Sequence, residues 1–213
     1  MSTTIATVPQ SGTEPQISPC REITPEELLM MPDESHYELI DGQLVERNTS
    51  VLSSLVAARV SCILGNHCDE RNLGWVLGSE VGYQCFSWKP RRVRRADASF
   101  IRIERYSLAR ASEEGHVSIA PDLAVEVLSP NDLAKELNEK LEDYRRAGVK
   151  LIWVIDPELR ILDIHHPDGT SRRLHEGDEI TGEDVIPGFR CLVSAFFPAA
   201  PEAVSAPESG DAS

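Results

Sequence analysis

The chain is poor in basic side chains: 21 Lys and Arg face 35 Asp and Glu, a formal net charge of −14. That shortage argues against a protein that coats nucleic acid nonspecifically, because such affinity comes from counterions released around Lys and Arg. Five cysteines, Cys20, Cys62, Cys68, Cys85 and Cys191, form no C-x-x-C pair, so neither a zinc ribbon nor a dithiol redox centre is expected. His36, His67, His116, His165, His166 and His175 fall at no ligand spacing and read as structural or surface residues. No G-x-S-x-G elbow, G-x-x-x-x-G-K-[ST] loop or G-x-G-x-x-G turn occurs, which removes the usual serine-hydrolase and nucleotide-phosphate cradles. The N-terminus lacks a basic segment followed by an apolar run, and no apolar stretch is expected to span a bilayer. No signal peptide and no membrane span are therefore expected, and the expected location is cytoplasmic.

What is present suffices for one core. The hydrophobic fraction of 41% and charged fraction of 26% are ordinary for a globular protein, and no Pro/Gly/Ser-rich linker interrupts the middle. A single domain over residues 22–197 is expected. It lies between an N-terminal segment, 1–21, and an acidic Pro/Ala/Ser-rich tail, 198–213, both expected to be disordered.

Local signals order the elements. Thr24-Pro25-Glu26-Glu27 has the form of a capping box and predicts a short helix to about Met31. HYELI and QLVER flank Asp41-Gly42, which predicts a hairpin. From Val51 to Glu70, Leu52, Leu55, Val56, Val60, Ile63 and Leu64 recur at helical spacing. WVLGSEVGYQCF and RRADASFIRI read as two strands joined by a basic arm. In PDLAVEVLSP, Asp122, Ala124, Glu126 and Leu128 share one side of a strand that is otherwise apolar on both faces. Ser129-Pro130-Asn131-Asp132 is expected to open a helix whose core face is Leu133, Leu137, Leu141 and Tyr144, closed by Gly148. KLIWVID and ILDIHH read as strands around a turn at Pro157 to Arg160, and GFRCLVSAFF as an apolar segment packed on the domain.

Three ionisable residues carry the chemistry. Asp97 and Glu126 fall on neighbouring predicted strands, and Lys140 lies on the helix that follows. Two carboxylates can share Mg²⁺ (or Mn²⁺), a hard cation that can supply a nucleophilic water and charge relief to a phosphodiester. Each residue alone has a plainer reading. Asp97 suits a turn or cap, Glu126 a buried pair with Lys140 or Arg145, and Lys140 an exposed helix pair with Glu136. Asp122, on the same face as Glu126, suits a group that supports the site from behind or, better, a cap at the strand start. Lys89, Arg91, Arg92, Arg94 and Arg95 end two residues before Asp97 and read as a basic approach for DNA or as a solvated hairpin arm.

The order YELIDGQLVER, RRADASFIRIER, PDLAVEVLSPNDLAKELNEKLEDYRRAGVKLIWVIDP and VIPGFRC resembles the Uma-type restriction endonucleases, a bacterial family in the PD-(D/E)XK nuclease superfamily. The resemblance covers roughly Ile23 to Phe197. It implies an α/β (α+β) restriction-endonuclease-like fold, a mixed β-sheet flanked by helices, commonly a homodimer, with Mg²⁺ at the site and DNA as substrate. It puts the metal-binding Asp on Asp97, the acidic strand residue on Glu126 and the N-terminal glutamate, a further metal ligand, on Glu38. The superfamily lysine position, two after the acidic residue, is Leu128 here, and the lysine corresponds to Lys140 in the next helix. Ala96 stands where Pro often precedes the Asp. Arg91, Arg92 and Arg94 are then expected to contact substrate. The competing expectation is a catalytically inert module of the same fold that binds nucleic acid or a protein partner.

Overall fold

The computed structural model describes residues 21–113 and 115–199. The expected disordered segments lie almost wholly outside those residues. Helix α1 (Pro25–Leu29) is followed by the hairpin β1 (Tyr37–Ile40) and β2 (Gln43–Glu46), then by helix α2 (Val51–Arg71) and strand β3 (Gly74–Gly78). Next come β4 (Ala98–Arg102), α3 (Leu108–Glu113), β5 (Leu123–Val127), α4 (Ala134–Ala147), β6 (Leu151–Asp156), β7 (Ile161–His165) and β8 (Ser171–His175). A second small hairpin pairs β9 (Glu179–Thr181) with β10 (Arg190–Leu192).

Six strands form one mixed sheet in the order β3-β4-β5-β6-β7-β8. Only β5 and β6 run parallel, with α4 as their crossover, and every other neighbouring pair is antiparallel. This is a mixed α/β domain, a mixed sheet flanked by helices, as the resemblance implies.

Strand alternation divides the core into two layers. Leu123, Val125 and Val127 of β5 pack in one cluster with Val56, Val60 and Leu64 of α2, while Ala124 belongs to another with Leu141 and Tyr144 of α4. The sheet is thus covered on both faces, which explains why β5 and β6 are nearly continuous apolar runs. Val56, Val60 and Leu64 are fully buried, and each contributes about 1.5–3 kcal/mol by leaving water. Helix α2 starts where the Ser50 side chain accepts from Ser53 N, and it stops at Asn72, whose φ of 51° is left-handed. By length and composition α2 could also cross a membrane, contrary to the expectation that no stretch approaches that length. Here its apolar stripe covers the sheet.

The β1–β2 hairpin forms in the expected register, with Ile40 opposite Gln43. Asp41 and Gly42 both have positive φ, 52° and 87°, as a type I′ turn requires. Helix α4 departs from expectation at its start. Asp132 Oδ2 accepts from Ser129 N at 2.7 Å and so closes the 129–132 turn on itself. Leu133 is then extended and the helix begins at Ala134 without a side-chain cap. Leu133 consequently lies 60% exposed, off the core face assigned to it. The other end is as expected, with Gly148 left-handed at φ 88°.

Candidate active site

Asp97 immediately precedes β4, in which Ala98 is registered with Val125 of β5. Its amide donates to Val125 O at 2.9 Å and its carboxylate Oδ2 accepts from Val127 N at 2.7 Å, so the side chain is pinned beside Glu126. The other oxygen, Oδ1, accepts from Arg47 Nη2 at 2.8 Å. Parity turns Glu126 to the opposite face from Val125 and Val127, toward α4.

Helix α4 meets it with a single face. Lys140, Asp143 and Tyr144 are spaced i, i+3, i+4 and so lie together. Tyr144 OH donates to Glu126 Oε1 at 2.8 Å, and Lys140 Nζ donates to Glu126 Oε2 at 2.7 Å. The same ammonium reaches Arg95 O at 2.6 Å and Glu38 Oε1 at 2.9 Å. Its three N–H groups are therefore all used. The expected surface pair with Glu136 is replaced by this buried one, with side-chain exposures of 13% for Lys140 and 7% for Glu126.

Glu38 arrives from β1 and is held by three donors: Lys140, Arg94 Nη1 at 2.9 Å and Arg95 N at 2.7 Å. Burial alone pushes a carboxyl up. At Glu38 the Lys140 and Arg94 charges and the Arg95 amide overcome it, and its pKa falls to about 2. At Glu126 burial wins over Lys140, helped by the negative charges of Asp97 and Glu38, and its pKa rises to about 7. One ammonium thus sits between two carboxyls whose proton affinities are driven apart. Burial would lower Lys140, but Glu126, Glu38 and Asp97 outweigh it and keep it charged. Burial, then the Glu126 charge, hold Tyr144 well above its usual range, so it remains a neutral donor.

The basic run is not an open arm. Arg94 donates through Nε to Asp143 at 2.8 Å, and Arg92 reaches both Asp143 oxygens at 2.6 and 2.7 Å. Both arginines are buried, a correction to the basic approach surface, because Asp143 and Glu38 draw them inward. Arg95 is also buried, paired with Glu34. Lys89 pairs with Asp41, and Arg91, paired with Glu22, keeps 52% of its side chain exposed. Asp122 lies away from the cleft, where it accepts from Arg102 N and pairs with Arg105 and Lys150. No histidine lines the cleft.

Glu38, Asp97, Glu126 and Lys140 do converge on one cleft of about 190 Å³ between the β1–β2 hairpin and α4. Glu46, Asp132, Glu136 and Glu139 also line it, against only Arg47, Arg94 and Lys140 on the positive side. Arg47 and Tyr144 were not legible as site residues, although Tyr144 is one helical turn beyond Lys140. Arg47 carries no local signal.

Among the described residues no group of three or more His, Cys, Asp or Glu is placed to hold a metal. Mg²⁺ needs fewer, commonly one or two carboxylates with water and substrate oxygens completing the shell. Asp97 and Glu126 meet that requirement with hard oxygen donors, and the mutual repulsion that raises Glu126 is of the kind a divalent cation relieves. Glu38, with all its donors inside the protein, suits an anchor for Lys140 better than a ligand.

No curated protein matches the sequence. Among solved structures, the fold is similar to that of a protein from Anabaena variabilis described as "a putative nuclease belonging to DUF820". The TM-score is 0.70 at 16% identity, over 82% of this chain and 97% of the other. The family described as "Uma2: Putative restriction endonuclease" matches residues 25–194, most of the chain's length, and the chain belongs to that family.

Proposed function

We propose that the chain is a divalent-cation-dependent endonuclease that hydrolyses DNA phosphodiester bonds. The observation that carries this reading is the side-by-side placement of Asp97, just before β4, and Glu126 on β5, with the Lys140 ammonium 2.7 Å from Glu126. The family description and the nuclease-like fold support it. Asp97 and Glu126 would hold Mg²⁺ (or Mn²⁺), which supplies a polarised water and neutralises phosphate charge. Lys140, kept cationic by its carboxylate neighbours, stabilises negative charge developing on the phosphoryl oxygens. Glu38 and the Arg95 carbonyl fix that ammonium in place, and Tyr144 fixes the Glu126 carboxyl. Lys89 and Arg91 are the members of the basic run exposed enough to meet a phosphate. The homodimer implied by the family belongs to the same proposal, and sedimentation velocity tests it.

Plasmid DNA incubated with wild type and Asp97→Ala, in Mg²⁺, Mn²⁺ or EDTA, tests the chemistry. Cleavage by wild type alone, abolished by EDTA, is expected. Equal behaviour of the two proteins in every metal would remove the catalytic reading. The acidic lining of the cleft favours one alternative, an inert module that binds nucleic acid or a protein partner. Calorimetry separates the two, because such a module has no metal binding that depends on both carboxylates.

A further inference from the structure

Arg47 lies in the cleft without a part in the proposed chemistry. It follows β2, donates through Nη2 to Asp97 and through Nη1 to Ser79 O at 3.0 Å. The other two cleft cations, Lys140 and Arg94, each join buried carboxylates and cannot leave without stranding them. The Arg47–Asp97 pair is wetter, with side-chain exposures of 16% and 22%. It also stands on a boundary. The cleft beneath α4 lies on one side, and on the other is a hollow of about 240 Å³ walled by Thr49, Ser53, Ser54 and Ser61. That second wall is rich in hydroxyls; among the described residues Arg47 is its one cation, and Glu80 joins Asp97 as its carboxylates.

We infer that Arg47 is a latch on Asp97: guanidinium and divalent cation compete for the same carboxylate, and the displaced guanidinium turns toward the hydroxyl-lined hollow to contact a phosphate. The strand's identity rests on the proposed nuclease reading; the competition for Asp97 does not. A charge-assisted hydrogen bond stabilises the carboxylate that accepts it. An incoming cation must break that bond and meets like charge beside it, so its affinity is reduced by the worth of the contact. The acidic cleft then gains a cation at Asp97 and frees another for the strand in one event.

Manganese titrations by calorimetry on wild type, Arg47→Gln and Arg47→Lys test the competition. Binding of a short DNA duplex across a salt series in Ca²⁺ tests the phosphate contact. Arg47→Gln is expected to bind Mn²⁺ about tenfold more tightly, yet to bind duplex more weakly, with the salt slope reduced by about one unit. A residue that merely props Asp97 would weaken both. Arg47→Lys keeps the charge and should keep the slope while binding Mn²⁺ more tightly than wild type; it carries the test where Arg47→Gln does not fold. Unchanged or weaker Mn²⁺ affinity in the variants, or an unaltered slope in Arg47→Gln, overturns the latch. A wild type that binds Mn²⁺ but leaves plasmid intact removes the nuclease reading and leaves the latch standing.

Discussion

Lys140→Met keeps the length and burial of the side chain and deletes only the ammonium. Glu126 Oε2, Glu38 Oε1 and the Arg95 carbonyl lose a donor together. Removing one partner of a buried ion pair costs about 3–5 kcal/mol, and exposures of 13% and 7% leave little solvent to screen it. Against a total stability of about 5–15 kcal/mol, such a loss lowers the melting temperature by roughly 6–20 °C in a domain of this size. The pH dependence identifies the cause. Burial already holds Glu126 at about 7, above the ordinary glutamate value of 4.5, and without Lys140 it rises further. A group whose folded pKa lies above its unfolded value contributes stability that is full below the unfolded pKa and lost as pH rises through the folded one. The variant should therefore recover part of its stability on going from pH 8 toward pH 5, as Glu126 takes up a proton. Urea unfolding of wild type, Lys140→Met and Glu136→Ala at both pH values makes the measurement. A loss under about 1 kcal/mol, or one matched by Glu136→Ala, is the behaviour of an exposed helix pair and would refute the buried triad.

Glu38 should show the opposite sign. Burial opposes ionisation, but Lys140 and Arg94 hold its pKa at about 2, so its contribution is present above about 4.5 and lost as pH falls toward 2. The shift corresponds to about 3 kcal/mol, and Glu38→Gln should flatten the acid limb of a stability-versus-pH curve; an unchanged limb would mean that other carboxylates control it. Within the basic run, Arg92→Ala should cost about 1.5–3 kcal/mol of stability with no change in the salt dependence of DNA binding. Arg91→Ala should leave stability within about 0.5 kcal/mol and lower the salt slope by about one unit. Exchanged behaviour of the two variants would return the run to the surface.

Much of the scaffold was readable because its signals are local. Asp41-Gly42 demands positive φ, the Val51 to Glu70 periodicity marks one stripe, and the alternation around Glu126 isolates a carboxyl in an apolar strand. The elements that escaped have little local signal. Strand β8 buries only Leu174, and its Ser171, Arg172 and Arg173 are all exposed, so no apolar alternation marks it. The α4 start was misplaced because Ser129 and Asp132 satisfy each other within a turn, which uses the capping residues before the helix begins.

The site divides along the same line. Glu126 and Lys140 could be paired from sequence because 14 positions separate them across one strand, one turn and one helical stretch. The basic run could not be resolved, because its counter-charges lie far away in sequence: Asp143 is 51 positions from Arg92, and Glu38 is 56 from Arg94. A run of arginines has one meaning when its neighbours are water and another when the fold delivers buried carboxylates to it. Burial makes each arginine dependent on its partner, since desolvation would be prohibitive without one. Sequence density of charge therefore says little about phosphate affinity here. The exposed Lys89 and Arg91 and the partly exposed Arg47, rather than the buried Arg92 and Arg94, are the cations free enough to exchange a carboxylate for a phosphate.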